Sequence, residues 1–283
     1  MTATLRRRLS GANAAVVVAA GVIVFFVLCA AAPQLIATHA PSEANPAEIM
    51  APPGWHHLFG TDYFGRDVFS LVVYGSRDSL LVGVAAVLAG GSAGALLGAV
   101  AGYLGGVLDL VLMRIVDIIL TVPGVLLALA IAAALGPGFA NIVLAISLAS
   151  IPGYARVSRG QIAGVKVRPF LLAARALGAG RARMLLLHIL PNSWSPLLVM
   201  AALGLGTSIL AGSGLSYLGL SAAKEIPDWG ALLAAGRSYI TVCWWMSTFP
   251  GLAITLFILS VNVLGDRLRD VLDRRTDSVG GLA

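Results

Sequence analysis

Charged side chains are scarce in this sequence. Of 283 residues only 11% are Asp, Glu, Lys or Arg, whereas 58% are hydrophobic. A soluble globular domain carries roughly a quarter of its residues as charged side chains, so the composition excludes that class. A membrane-spanning helix needs about 20 apolar residues, and five or six such helices account for most of the chain. The sequence therefore predicts an all-α, polytopic membrane protein.

Cysteine is also scarce. The two cysteines, Cys29 and Cys243, fall in or beside apolar runs. This favours buried small hydrophobic side chains over a disulfide framework. The basic start and apolar run of residues 1–30 are typical of a signal peptide as well. The run is too long, however, and no good cleavage site is followed by a soluble mature protein, so we interpret it as the first span.

The sequence lacks catalytic and metal-binding constellations. No phosphate-binding loop of the form G-x-x-x-x-G-K-[ST] is present, and Lys166 follows glycines at the wrong spacing. The chain is therefore predicted not to be an enzyme, and to hold no cofactor of its own. His56 and His57 are adjacent, but no third ligand lies at a zinc-like spacing. We expect no metal there and interpret them as interfacial histidines.

Apolar runs predict six spans and the distribution of basic residues predicts their orientation. With the N-terminus in the cytoplasm, 15 of the 19 basic residues lie on the cytoplasmic side, as the positive-inside rule requires. Because the basic residues lie at span ends, nucleic-acid binding is a poor explanation for them. The predicted parts are a cytoplasmic N-terminus (1–13), a membrane domain (14–268) with an extracytoplasmic loop (37–78) and a cytoplasmic loop (156–192), and a cytoplasmic tail (269–283). The spans cover about 14–36, 79–101, 110–135, 139–154, 195–218 and 247–264.

Charged residues of the predicted spans are confined to the cytoplasmic start of span three, at Asp109, Arg114 and Asp117. Arg114 and Asp117 are three residues apart and share a helix face, so the spacing predicts that they pair. A paired charge at a span end is favoured over a proton relay. An ion-coupled carrier is therefore poorly supported.

Four glycines of span two recur every fourth residue. They form one smooth stripe on a helix, and small residues at this spacing let two helix backbones approach closely. We expect the stripe to pack against another span of the same chain, with a partner subunit as the alternative. Its members are Gly90, Gly94, Gly98 and Gly102.

The basic loop between spans four and five predicts two short helices. Pro169 suits the first turn of a helix that runs to about residue 177, and Gly178 suits its end. A second helix is predicted from Arg181 to Leu190, ending before Pro191. Such a loop can lie on lipid headgroups. The small Ala173 and Ala174 also suit a contact in which this helix enters a partner's groove.

This loop resembles the EAA loop of ABC importer permeases, which is the coupling helix that docks on the ATPase. Ala173-Ala174, Gly178 and Leu190-Pro191 carry the resemblance, and Leu172 stands where the family usually has a glutamate. With that glutamate absent, we expect Arg175 or Arg181 to carry more of the polar contact. The implied coupling residues are Ala173, Ala174, Arg175, Gly178, Arg181, Leu190 and Pro191.

Other stretches are similar to the dipeptide/oligopeptide/nickel permeases of type I ABC importers. Their order and spacing extend over almost the whole chain, which makes the combination specific. The resemblance implies a type I importer permease fold with six transmembrane helices. The stretches are residues 59–70 (FGTDYFGRDVFS), 74–77, 113–123, 154–161, 214–220, 229–230, 249–251 and 262–270.

The resemblance also implies partners and a location. These are a homologous second permease, two ATPase subunits that bind ATP and magnesium, and an extracytoplasmic substrate-binding protein, assembled in the bacterial inner membrane. The implied activity is import of dipeptides, oligopeptides or related solutes by alternating access. A stand-alone channel or scaffold that holds a cytoplasmic partner is the alternative. Hydroxyls of span five are candidates for the path, although such groups more often bond their own backbone: Ser208, Ser213, Ser216 and Tyr217.

Overall fold

The computed structural model describes residues 2–280, apart from the side chains of 2–13, 172, 175, 181–182 and 273–280. Helices dominate, and this described part forms no β-strand, which confirms the all-α prediction. The helices are α1 (Thr2–Ala31), α2 (Val68–Leu104), α3 (Gly106–Ile119), α4 (Gly124–Leu135), α5 (Phe139–Lys166), α6 (Pro169–Ala176), α7 (Arg181–Met184), α8 (Leu190–Tyr217), α9 (Trp229–Arg237) and α10 (Trp245–Gly280).

Five helical segments of the described chain are long and apolar enough to cross a membrane: Ala14–Ala31, Val68–Leu104, Phe139–Lys166, Leu185–Tyr217 and Trp245–Leu272. The predicted third span is not one straight helix. It consists of α3 and α4, which are bent by 84° and make a sixth span only if counted together. Pro123 explains the break, because proline disfavours helical backbone at the residue before it.

Several helices extend beyond the predicted membrane spans, and α2 and α5 do so next to the predicted loops. Helix α2 begins at Val68, because the Asp67 carboxylate accepts a hydrogen bond from the backbone N–H of Ser70 at 2.8 Å and caps the helix. Helix α5 continues to Lys166, so the first residues of the predicted loop 156–192 are helical. Parts of the two predicted loops are therefore helical and continue the spans.

The chain forms two compact units. The first contains Met1–Ala85, Ile131–Val143 and Leu205–Leu264, and the second contains Ala86–Ala130, Leu144–Gly204 and Gly265–Ala283. The first unit therefore includes the long segment between α1 and α2 and the connection between α8 and α10. The second includes the basic segment between α5 and α8.

The core of the first unit surrounds Trp229, which is fully buried. Its indole N–H donates to the Val72 carbonyl at 2.8 Å, and its ring meets Phe26 edge-on at 5.1 Å between centroids. Cys29 and Cys243 are free and buried in this unit, as predicted. Helix α9 is thus packed into the core although its sequence lies in a polar connection.

Ion pairs join α3 to α5 in the second unit. Arg159 makes two hydrogen bonds to the Asp109 carboxylate, at 3.0 and 2.6 Å, and Arg156 pairs with Asp117. The prediction that Asp117 pairs with Arg114 is wrong. A cross-helix guanidinium satisfies that carboxylate, so the local spacing within α3 does not decide the pairing.

Candidate functional site

The basic segment between α5 and α8 contains the helix end predicted at Gly178. We call α6, the turn at Gly178 and α7 together the elbow. Helix α6 ends at Ala176, and Gly178 adopts a φ of +83°. The Ala179 N–H then reaches back to the Ala174 carbonyl at 3.1 Å. This is the hydrogen bond that closes a helix over a left-handed glycine. A Cβ on Gly178 would meet nothing within 4 Å, so the elbow requires glycine for its backbone conformation and not for space.

The second helix of the segment does not end before Pro191. Helix α7 passes into a π turn over Leu185–Ile189 and then directly into α8, which contains Pro191. The π turn widens the helix, with the Leu190 N–H bonded to the Leu185 carbonyl. A wider turn relieves the crowding between a proline ring and the carbonyl one turn earlier. The Asn192 side chain supplies a further donor to the His188 carbonyl at 2.6 Å.

A small apolar cluster anchors the elbow to the helix ends. Leu171 of α6 and Ile189 of the π turn are fully buried against Ile162 and Val165 of α5. The sequence analysis did not single out Leu171. Its position between Pro169 and the small Ala173 is the signal that could have identified it. Lys166 adds a polar tie, since its ammonium donates to the Tyr103 carbonyl at the end of α2, at 2.8 Å. Movement of α6 would therefore be transmitted to both α5 and α2.

The described residues around the turn expose apolar surface. Ala173 and Gly178 are exposed, and Leu177 between them has 89% of its surface exposed. Of the other predicted coupling residues, Ala174 and Leu190 are half-buried and Pro191 is exposed. The side chains of Leu172, Arg175 and Arg181 lie outside the described residues.

The glycine stripe of α2 lies against α5. A Cβ on Gly98 would stand 2.2 Å from the Ala155 carbonyl oxygen, and one on Gly94 would stand 2.5 Å from that of Ile151. Gly90 and Gly102 approach α5 backbone in the same way, at 2.7 and 2.8 Å. The two helix backbones are therefore in contact at four glycines, each about one turn from the next. A larger side chain at these positions would keep the backbones apart. This places the stripe within the chain.

The predicted path hydroxyls of α8 are largely turned inward. Ser208, Ser213 and Ser216 are buried and Tyr217 is half-buried. The Ser216 hydroxyl donates to Asp228 at 2.9 Å, and Asp228 in turn accepts from the Ala231 N–H and caps α9. Burial raises the pKa of the Asp228 carboxyl, and these hydrogen bonds partly offset the rise. The Ser216 hydroxyl therefore stabilises the N-terminal cap of α9.

Replacing Ser216 with alanine is expected to lower stability by about 1 kcal/mol, because one hydrogen bond to a buried carboxylate is lost. Cargo preference should not change. Asp228→Asn is the matched variant, since asparagine still caps a helix. Thermal unfolding of the purified protein and competition between cargoes during uptake provide the two readouts. A shift in cargo preference with unchanged stability would instead place the Ser216 hydroxyl in the path.

The segment between α1 and α2 is organised by His57. Its Nδ1 lies 2.9 Å from an Asp67 oxygen and its Nε2 lies 3.1 Å from a Glu48 oxygen. Burial alone would lower the pKa of His57, but the hydrogen bonds to the two carboxylates outweigh it and raise that pKa. His57 and Asn45 together lower the pKa of Glu48. His57 is thus buried and paired, whereas His56 beside it is exposed.

Comparison with known proteins identifies the family of the chain. Residues 94–278 match the family described as "Binding-protein-dependent transport system inner membrane component". The dipeptide transport system permease protein DppC of Alkalihalophilus pseudofirmus is 41% identical over 257 residues, which cover 91% of this chain and 84% of the relative. DppC of Escherichia coli K12 is 44% identical, covering 89% and 85%. The glutathione transport system permease protein GsiD of Escherichia coli O6:K15:H31 is 44% identical, covering 78% and 73%. The chain belongs to the family of binding-protein-dependent transport system inner membrane components.

Proposed function

We propose that this chain is a permease subunit of an ATP-driven ABC importer and forms half of a path for dipeptides, oligopeptides or related small solutes. Family membership and relatives named as dipeptide and glutathione transport permeases support the proposal. The observation that carries it is the elbow segment, which lies inside the matched residues and presents a small apolar face on a buried anchor.

The elbow suits a contact with an ATPase. A protruding turn with little side-chain bulk can enter a groove, as short helices do in partner proteins. Exposed Leu177 then supplies apolar area, and Ala173 lets the partner approach the helix closely. Leu171 and Ile189 resist displacement of the elbow relative to α5, because they would lose their burial. A push on the elbow is in this way passed to α5 and, through the glycine stripe, to α2.

The complete machine contains a homologous second permease, two ATPase subunits and an extracytoplasmic substrate-binding protein. ATP and magnesium act on the ATPases, and this chain supplies no nucleotide site. Both termini lie in the cytoplasm of a cell whose inner membrane holds the complex, in agreement with the excess of basic residues on that side. The segments 37–67 and 219–245 then face the binding protein.

Transport follows from two states of the path. ATP binding favours one state because the closed ATPase dimer binds the displaced elbows better than the resting ones. A ligand shifts such an equilibrium only by its difference in affinity for the two states. The outward state receives cargo from the binding protein, and hydrolysis restores the inward state.

Purification from the native membrane tests the proposal. In mild detergent, this chain is expected to carry along a second permease and nucleotide-binding subunits, and the preparation should hydrolyse ATP. A single chain that sustains solute flux in vesicles without nucleotide would overturn the proposal in favour of a channel. If the chain purifies alone, reconstitution with candidate ATPases decides, because failure to stimulate hydrolysis there counts against coupling.

A further inference from the structure

Three metal-ligand side chains converge in the segment between α1 and α2. His39 follows α1, His57 lies in the middle of the segment, and Asp67 caps α2. One ligand atom from each lies within 4.8 Å of the other two. The Nδ1 atom of His57 is 2.9 Å from Asp67, and that of His39 is 3.8 Å from it. Two donors bound to one zinc ion at about 2.1 Å lie roughly 3 to 4 Å apart, which is close to both of these distances.

The surroundings of these groups match those of a metal centre. A ligating histidine usually donates its second ring N–H to a carboxylate, which fixes the ring. Glu48 occupies that position at Nε2 of His57, 3.1 Å away. Asp67 is held by Thr38 at 3.2 Å and by the Ser70 hydroxyl at 2.7 Å. The carboxylate and one imidazole are therefore already oriented before any ion arrives.

From this geometry we infer a divalent transition-metal site formed by His39, His57 and Asp67, with Glu48 supporting His57. Two imidazoles and one carboxylate favour zinc or a similar ion over calcium or magnesium, which prefer oxygen ligands. The Asp67 side chain is 1% exposed and that of His39 is 36% exposed, so the ion enters from the His39 side. The three residues have no characteristic spacing in the sequence. The sequence therefore indicated only the adjacent His56 and His57 as candidate metal ligands.

The bound ion ties together three points of the segment. One is just beyond α1, one is at its centre, and one is the residue that caps α2. Binding through Nδ1 of His57 replaces the proton shared with Asp67, and that proton is released to solvent. The ion is expected to stabilise this face of the protein.

The test uses the full-length protein in detergent, purified on a tag without histidine and treated with a chelator. Zinc chloride titrated calorimetrically should reveal one site that is saturable, and it should raise the thermal unfolding temperature. His39→Ala should weaken this binding at least tenfold, because it removes a ligand and leaves the His57 contacts in place. His56→Ala is the matched control, being an exposed neighbouring histidine, and should bind zinc as the wild type does.

Cobalt provides a second readout that does not depend on stability. When cobalt replaces zinc at a site with nitrogen and oxygen ligands, visible absorption bands report the coordination, and these bands should disappear in His39→Ala. Equal zinc affinity in the wild type and His39→Ala overturns the site, as does loss of binding in His56→Ala. No saturable zinc binding to the wild type also overturns it. None of these measurements involves ATP hydrolysis or uptake, so the outcome is separate from that of the importer proposal.

Discussion

Replacing Gly178 with valine is expected to reduce cargo uptake on the order of tenfold or more in a reconstituted complex, while ATP hydrolysis without cargo continues. Gly178 has a φ of +83°, where an L residue costs about 1–2 kcal/mol and a β-branched one more. The elbow would relax away from this conformation. Each ~1.4 kcal/mol changes an equilibrium tenfold. This strain therefore lowers the population of the elbow conformation that docks on the ATPase by about tenfold or more. Uptake and hydrolysis are measured on the same vesicles.

Two variants separate backbone conformation from bulk. Gly180→Val adds the same side chain two residues further on, where a Cβ also meets nothing within 4 Å and the backbone φ is not left-handed. It should leave uptake within about twofold of wild type, since surface substitutions away from special backbone positions have small effects. Gly178→Asn should recover much of the activity, because asparagine tolerates the left-handed region. Normal cargo-stimulated hydrolysis and uptake in Gly178→Val would contradict the coupling role of the elbow.

Features governed by one residue and its immediate neighbours could be predicted from the sequence. The elbow is an example, because only the conformational freedom of glycine is needed to end α6 near Gly178. The apolar excess likewise suffices for a helical membrane protein. The close approach of α2 to α5 was predictable in kind, since the spacing of the stripe is visible. Its partner helix was not, because nothing local specifies which surface meets it.

Predictions failed where a distant group or an irregular helix turn decided the outcome. Asp117 was expected to pair within its own helix, but Arg156 of α5 reaches it. Pro191 was expected to end a helix, yet a π turn lets the helix continue past it. The grouping of His39, His57 and Asp67 depends on the path of the segment between α1 and α2, which residue spacing does not reveal. For Asp117 and for the histidines, a group distant in sequence decides the outcome, whereas at Pro191 a local change of helix geometry does.

Gly98→Ala is expected to destabilise the protein by about 1–3 kcal/mol, the usual cost of overpacking a filled interface. The new methyl group would lie 2.2 Å from the Ala155 carbonyl oxygen and 2.7 Å from the Ser158 Cβ. Backbone cannot move aside as a flexible side chain can, so α2 and α5 must separate. Separation also weakens the hydrogen bond from the Ser158 hydroxyl to the Ala95 carbonyl, now 2.8 Å long.

Gly91→Ala is the matched control for this prediction, since Gly91 lies on the same helix but off the stripe. Its Cβ would stand 3.5 Å from the Tyr154 ring, an ordinary contact. Alanine there should be neutral or stabilise the helix by up to about 1 kcal/mol, because glycine is the weaker helix former. The two substitutions add the same atom and differ in sign only if the stripe packs within the chain. Unfolding of the isolated permease measures both, and a stable Gly98→Ala chain that fails to associate with its second permease would instead place the stripe at the subunit interface.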